Sequence, residues 1–244
     1  MLGRGRMGTE IVRLARAGGD EVPLELDVDD NRGGAGLTLA SLAGVDVVID
    51  FTSADAVLDN VRGAARAGKP IVVGTTGWYD RMDEVAGVVD EHRGALVHGA
   101  NFSVGVFILR ELTAHAARLA DRFPDYDPYV VEHHHRGKLD APSGTAQRLA
   151  ESLVAGIGRK RRIETASGDG AIAPDALHVV SVRAGAAFGH HEVGLDSPAD
   201  LIRIVHTARG REGFARGALL AASWVRGKRG VFEFSEILRE GGVA

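Results

Sequence analysis

The chain reads as an α/β protein built on a parallel sheet with helices on both faces, and three observations predict this. Short β-branched runs alternate with helix-compatible segments through the N-terminal part. A glycine array, Gly3, Gly5 and Gly8, stands directly before the helical pattern Ile11, Val12, Leu14, Ala15. The apolar runs end in small or polar residues, as they do at the carboxyl edge of a ligand-binding parallel sheet.

In order along the chain, the G-x-G-x-x-G spacing of Gly3, Gly5 and Gly8 lets a backbone turn sharply and approach a pyrophosphate seated on the following helix N-terminus. The run Val22 to Leu26 reads as a strand ending in Asp27, about 20 residues past the glycines, where a carboxylate accepts ribose hydroxyls. Together these make the N-terminal part a Rossmann-like dinucleotide domain. Val45 to Thr52, Pro70 to Gly77 and Ala95 to Ser103 supply further strands, with helices expected over Ala54 to Ala67 and Asp80 to Glu91. The edges carry Asp50, Phe51 and Thr52; then Gly74, Thr75 and Thr76; then Ala100, Asn101 and Phe102. Only Met1 and Leu2 precede the glycine loop, so the first strand of this sheet is expected to be truncated.

Composition narrows the function. With 244 residues and 45% hydrophobic content the chain can fill a sizeable core. A net charge of −4 supplies no global basic field, so no nucleic-acid partner is expected. The absence of cysteine excludes disulfides and thiolate metal sites and fits a reducing cytosol. No run reaches the roughly 18 apolar residues of a membrane span, and no signal peptide opens the chain, so a cytoplasmic protein without a membrane partner is expected.

The segment Phe102 to Phe123 supports a long helix, Pro124 and Pro128 bracket a turn, and Tyr129 to His133 reads as a strand. There follows EHHHRGKLDAPSGTA, Glu132 to Ala146. Alternate residues of a strand face opposite ways, so His133 and His135 would share an ion only by leaving His134 behind, and no metal site is expected. Asp140 and Ser143 can cap a helix, with Gly144 and Thr145 presenting N–H groups at its positive end, where a carboxylate fits. His134 and Lys138 place a titratable imidazole and a cationic proton donor beside that cradle. Arg159 to Arg162 reads as an exposed loop.

The string HHRGKLDAPSGTA (His134 to Ala146), with GRMG, DFT, VGTTG, ANFSVG, VRAG (Val182 to Gly185), FGHHEV (Phe188 to Val193) and GVFEFSEIL (Gly230 to Leu238), closely resembles the dihydrodipicolinate reductases, also called 4-hydroxy-tetrahydrodipicolinate reductases. The resemblance runs in order through nearly the whole chain. It implies an NAD(P)H-dependent reductase of the lysine and diaminopimelate pathway, acting on a small cyclic dicarboxylate. His134 is then the proton donor/acceptor and Lys138 a second proton donor, while His135, Gly144 and Thr145 bind substrate. The dinucleotide, NADH or NADPH, is held by Gly3, Arg4, Gly5, Arg6, Met7, Gly8, Asp27, Gly74, Thr75, Thr76, Gly99, Ala100, Asn101 and Phe102. Two departures stand out: many members have a histidine in place of Gly137, and the glycine loop is one residue shorter than the usual G-x-x-G-R-M-G. The acidic run Asp27, Val28, Asp29, Asp30 favours the free ribose of NADH, whereas Arg4 and Arg6 offer reach to a 2′-phosphate.

Residues 1–102 with 213–244 are expected to form the dinucleotide domain, and 103–212 a smaller α+β substrate and oligomerisation domain. Strands are expected at His178 to Arg183, Glu192 to Leu195 and Leu201 to His206. The resemblance implies a homotetramer built through that sheet. The alternative function is a catalytically impaired dinucleotide-binding homologue.

Overall fold

Residues 1–165 and 170–241 are described in the computed structural model. The chain divides into two units, Met1–Val104 with Arg211–Ala244, and Gly105–Gly210.

The first unit is a four-stranded sheet in which β1 (Val48–Asp50), β2 (Ile71–Val73), β3 (Ala95–His98) and β9 (Gly230–Glu233) lie side by side in that order, every pair parallel. Side-chain alternation along β2 explains why Ile-Val-Val is apolar throughout. Ile71 and Val73 join Val57, Leu58 and Val61 of α2 (Val57–Arg66) and Val85 and Val89 of α3 (Met82–Glu91) in one core. Val72 points the other way, into a second core with Ile11 of α1 (Arg6–Ala17) and Ala215, Ala218, Ala221 and Val225 of α6 (Glu212–Val225). Burying such aliphatic side chains is worth roughly 1.5–3 kcal/mol each. The short α7 (Phe234–Arg239) closes the unit behind a Glu233–Glu236 capping box.

The strand expected over Val22 to Leu26 is reduced to an isolated bridge. Leu2 sits between Leu26 and Asp50, parallel to both, and the N–H of Leu26 donates to the Met1 carbonyl at 3.0 Å. The terminal amine of Met1 donates to Leu24 at 2.8 Å. A strand exists only as far as a partner hydrogen-bonds it, and here three residues, Met1 to Gly3, supply the pairing.

The second unit carries β4 (Asp127–His134), β5 (Arg162–Glu164), β6 (Ala176–Arg183), β7 (His190–Asp196) and β8 (Leu201–Thr207) in the order β5-β6-β4-β7-β8. β4 runs parallel to β6 and antiparallel to β7. Val130 of β4, Val179 of β6 and Val193 of β7 pack against Leu149, Ala150 and Leu153 of α5 (Gly144–Gly156) and Leu109 and Ala117 of α4 (Val104–Ala120).

The stretch Arg159 to Arg162 corrects the sequence reading. Lys160 is only 3% exposed, and its ammonium donates to the carbonyls of Pro174 (2.9 Å) and Ala176 (2.8 Å) while pairing with Asp127 at 2.5 Å. A run of basic residues does not reveal which of them finds buried carbonyl partners across the chain. Here Lys160 ties the start of β5 to the sheet.

Candidate active site

On β4 the even-numbered residues face the helices, so Glu132 and His134 share the buried side while His133 turns away and bonds the Ala184 carbonyl at 3.0 Å. The Nδ1 of His134 is hydrogen-bonded to Oε2 of Glu132. Register sets Arg183 of β6 beside His134, and its guanidinium forks onto the same carboxylate, Nη2 to Oε1 at 2.5 Å and Nη1 to Oε2 at 3.0 Å. The N–H of Ser143 donates to Oε1 at 3.1 Å. Burial alone would raise the Glu132 carboxyl, but His134, Arg183 and the Ser143 N–H together hold it well below the usual carboxylate range.

His191 of β7 stands opposite Glu132 across the antiparallel pair. Its Nε2 lies 3.2 Å from Ser143 Oγ, and its ring meets that of His134 edge-on at 5.1 Å. Burial first, and then the neighbouring His134, push its pKa down to about 3, so it is neutral at physiological pH. Glu132, His134 and His191 thus bring potential ligand atoms within 4.8 Å of one another. That grouping was not foreseen, because the metal reading weighed only His133 and His135. Glu132 Oε2 is shared by His134 Nδ1 and Arg183, Oε1 by Arg183 and the Ser143 N–H, and His191 Nε2 meets Ser143 Oγ, while His191 Nδ1 is buried without a hydrogen-bond partner.

The loop after β4 folds back on the sheet. Its backbone pairs with the segment after β6, His135 N–H to Ala187 O at 2.8 Å and Arg136 N–H to Gly185 O at 3.2 Å. The His135 side chain is left exposed. Lys138 pairs with Asp140 at 2.7 Å, and Arg183 also donates to the Asp140 carbonyl at 2.6 Å, tying the loop to Glu132. Ser143 caps α5, its Oγ accepting from the Ala146 N–H at 3.2 Å. Gly144 is exposed and Thr145 half-buried in the first turn.

In the first unit the glycine loop is shaped by close backbone approach. Gly3 has φ +85°, and a β-carbon there would collide with the Phe51 carbonyl; one on Gly8 would collide with the Gly3 carbonyl. Gly5 caps α1, with Arg4 and Arg6 exposed and Met7 half-buried. Arg4 is held by Asp30 at 2.7 Å and lies 3.8 Å from Asp27, whose carboxylate accepts from the Val28 N–H at 2.9 Å.

Asp50 is fully buried and accepts from the Thr52 N–H (2.9 Å) and from the Thr75 hydroxyl (3.0 Å) and Asn60 amide (2.8 Å). Burial pushes its carboxyl up despite these donors. The Thr75 side chain is therefore committed inside the edge, whereas Thr76 is exposed. Gly74 lies against the Phe51 ring, where a β-carbon would collide, and a β-carbon on Gly99 would stand 3.1 Å from that of Phe234. Phe102 is buried 4.7 Å from the Phe234 ring, Asn101 accepts from the Ser103 N–H at 2.8 Å, and Ala100 is exposed.

Sequence reasoning missed Glu132, Arg183 and His191. The parity argument used to separate His133 from His134 also pairs Glu132 with His134, and that signal was available. The other two depend on register between distant strands.

Comparison with known proteins adds a second line. Residues 1–102 match the family described as "Dihydrodipicolinate reductase, N-terminus" and residues 105–238 the one described as "Dihydrodipicolinate reductase, C-terminus". A 4-hydroxy-tetrahydrodipicolinate reductase of Christiangramia forsetii is 31% identical over 241 residues, covering 98% of this chain and 97% of that protein. One from Anaeromyxobacter dehalogenans is 39% identical over 259 residues, covering 96% and 94%. The dipicolinate-bound dihydrodipicolinate reductase of Paenisporosarcina sp. TG-14 shares the fold, with a TM-score of 0.74 at 24% identity and 97% coverage of both chains.

Proposed function

The chain belongs to the dihydrodipicolinate reductase family, and from that premise we propose that it reduces 4-hydroxy-tetrahydrodipicolinate to tetrahydrodipicolinate in diaminopimelate and lysine biosynthesis, with His134 and Lys138 as its proton handlers. Like the rest of its family it is an oxidoreductase that uses a nicotinamide dinucleotide. The observation that carries the residue assignment is the buried Glu132 carboxylate, which gathers His134, Arg183 and the first turn of α5 into one site.

The dinucleotide, when bound, supplies the hydride that adds to C4 of the dehydrated, conjugated cyclic imine. Gly3, Gly5 and Gly8 bring backbone against the start of α1, which suits a pyrophosphate, and Arg4, Arg6 and Met7 border it. Asp27 accepts ribose hydroxyls, while Gly74, Thr75, Thr76, Gly99, Ala100, Asn101 and Phe102 shape the adjoining sheet edge. The tie between Arg4 and Asp30 occupies a guanidinium that would otherwise reach a 2′-phosphate, which supports a preference for NADH. A higher kcat/KM with NADPH would overturn that preference.

In the second unit, His135 and the N–H groups of Gly144 and Thr145 hold the substrate carboxylates at the positive end of α5. His134 gives a proton to the carbon next to the site of hydride addition, and Lys138, released from Asp140, is the second donor. On this reading residues 1–102 with 213–244 form the dinucleotide domain, and 103–212 the substrate domain. A homotetramer is part of the same proposal, supported by the side of the second sheet away from α5, where Val182 and Val205 are 39% and 49% exposed. A cytoplasmic location accords with the cysteine-free sequence; no helix among the described residues is long and apolar enough to cross a membrane.

The test is a coupled assay: substrate is formed in situ from pyruvate and aspartate semialdehyde, and NADH or NADPH absorbance is followed. Oxidation above background is expected with both reagents present. Its absence, in protein that still binds NADH, would overturn the activity and leave the catalytically impaired homologue.

A further inference from the structure

We infer that Glu132 is a positioning residue that sets the working tautomer of His134, and that Arg183 is the counter-charge that keeps the carboxylate from retaining the proton. The inference rests on His134 being the proton donor proposed above.

Glu132 and His134 are two residues apart on one face of β4, so the strand itself aims the carboxylate at the ring. The carboxylate has no exposed surface and receives His134 Nδ1, both terminal nitrogens of Arg183 and the Ser143 N–H. An ionised carboxylate only accepts, so what it meets at Nδ1 must be an N–H. That leaves Nε2 as the nitrogen that takes up and releases the proton. Nε2 is also the side the fold keeps clear, since a β-carbon on Gly189 would stand 3.1 Å from it.

A carboxylate bonded to a histidine alone would stabilise the imidazolium and slow its proton release. The two-point contact with Arg183 draws carboxylate charge away from His134. The charged and titratable groups around His134 are Glu132 on β4, Arg183 on β6, His190 and His191 on β7, His206 behind them on β8, and the Lys138–Asp140 pair of the loop. His191, the ring in contact with His134, is neutral and adds no charge. Glu132 and Arg183 are thus opposed charges joined to the ring through one carboxylate oxygen, Oε2, and they act with opposite sign.

The experiment has two arms on the full chain. Long-range proton–nitrogen NMR of the imidazole rings in the unmodified protein should show His134 protonated at Nδ1 when neutral. In steady-state kinetics, Glu132→Gln should lower kcat by about 10²-fold or more, since losing a tautomer-setting partner can cost up to ~10⁴-fold. KM and the dinucleotide Kd should change little. Glu132→Gln should move the alkaline limb of the kcat profile to lower pH and Arg183→Gln should move it to higher pH. A purely structural pair would move neither. An Nε2–H tautomer in the unmodified protein, or limbs that stay put or move together, would overturn the inference. Should Glu132→Gln fail to fold, the unmodified spectrum and Arg183→Gln decide it. Full turnover in His134→Gln would overturn the proton-donor reading instead, while the tautomer would still report whether Glu132 orients the ring.

Discussion

The glycine loop of the first unit and the histidine site of the second are built from different materials. The loop is made of backbone: Gly3 and Gly8 matter because a β-carbon would collide with the carbonyls of Phe51 and Gly3. The histidine site is made of side-chain charge, with Glu132 buried against His134 and Arg183. Even the buried carboxylates differ. Asp50 is surrounded by neutral donors and its carboxyl is pushed up by burial, whereas Glu132 meets a guanidinium and an imidazole and is held down. The difference teaches that a pocket for a fixed, bulky ligand tolerates steric definition alone, while a site that must move a proton needs charges in opposition.

The comparison breaks most readily at its chemical end. His134→Gln should lower kcat by about 10²–10⁴-fold with the dinucleotide Kd unchanged, as read by steady-state kinetics and fluorescence titration. Equal damage to both would mean that His134 merely supports the fold. Gly8→Ala should do the reverse. The added methyl would cost about 1–3 kcal/mol of loop strain, seen as weaker dinucleotide binding and a lower Tm. Unaltered binding would refute the backbone account of the loop.

Acid separates the two units by sign. His191 titrates near 3 in the folded chain against 6.5 as its ordinary value, so between these pH values the unfolded chain takes up a proton that the folded chain refuses. Stability from this residue is therefore complete above about 6.5 and declines as pH falls toward 3. Glu132, with a depressed carboxyl, adds loss of the same sign below its ordinary 4.5. Asp50 in the first unit has a raised carboxyl, so acid relieves rather than penalises it. Amide protection, taken relative to the intrinsic exchange rate at each pH, should accordingly fall at β4 before β1 as pH is lowered; β3 is the poorer reference, because His98 is itself depressed by burial. Simultaneous loss at β4 and β1 would deny the difference. The smallest expected effect is Ser143→Ala, which removes the α5 cap at about 1 kcal/mol and the partner of His191, measured as a change in urea midpoint.

Much of the fold was legible because period and punctuation are local. The Ile-Val-Val of β2, the glycine turn before α1, the cap at Ser143 and the alternation along β4 are all written in adjacent residues. The strand at Val22 to Leu26 was over-read, since propensity does not report whether a partner extends alongside. Lys160 was misjudged because its carbonyl partners at Pro174 and Ala176 lie across the chain.

By itself the sequence determined the α/β class, the glycine loop and the string from His134 to Ala146, because each is a pattern over neighbouring residues. Only the tertiary structure decided that Arg183 and His191 belong to the same site. Strand register and direction, parallel for β6 and antiparallel for β7, bring them to Glu132 from about fifty to sixty residues away. A buried charge is tolerated only where such distant partners converge, so the chemistry of Glu132 and His134 depends on the sheet as a whole.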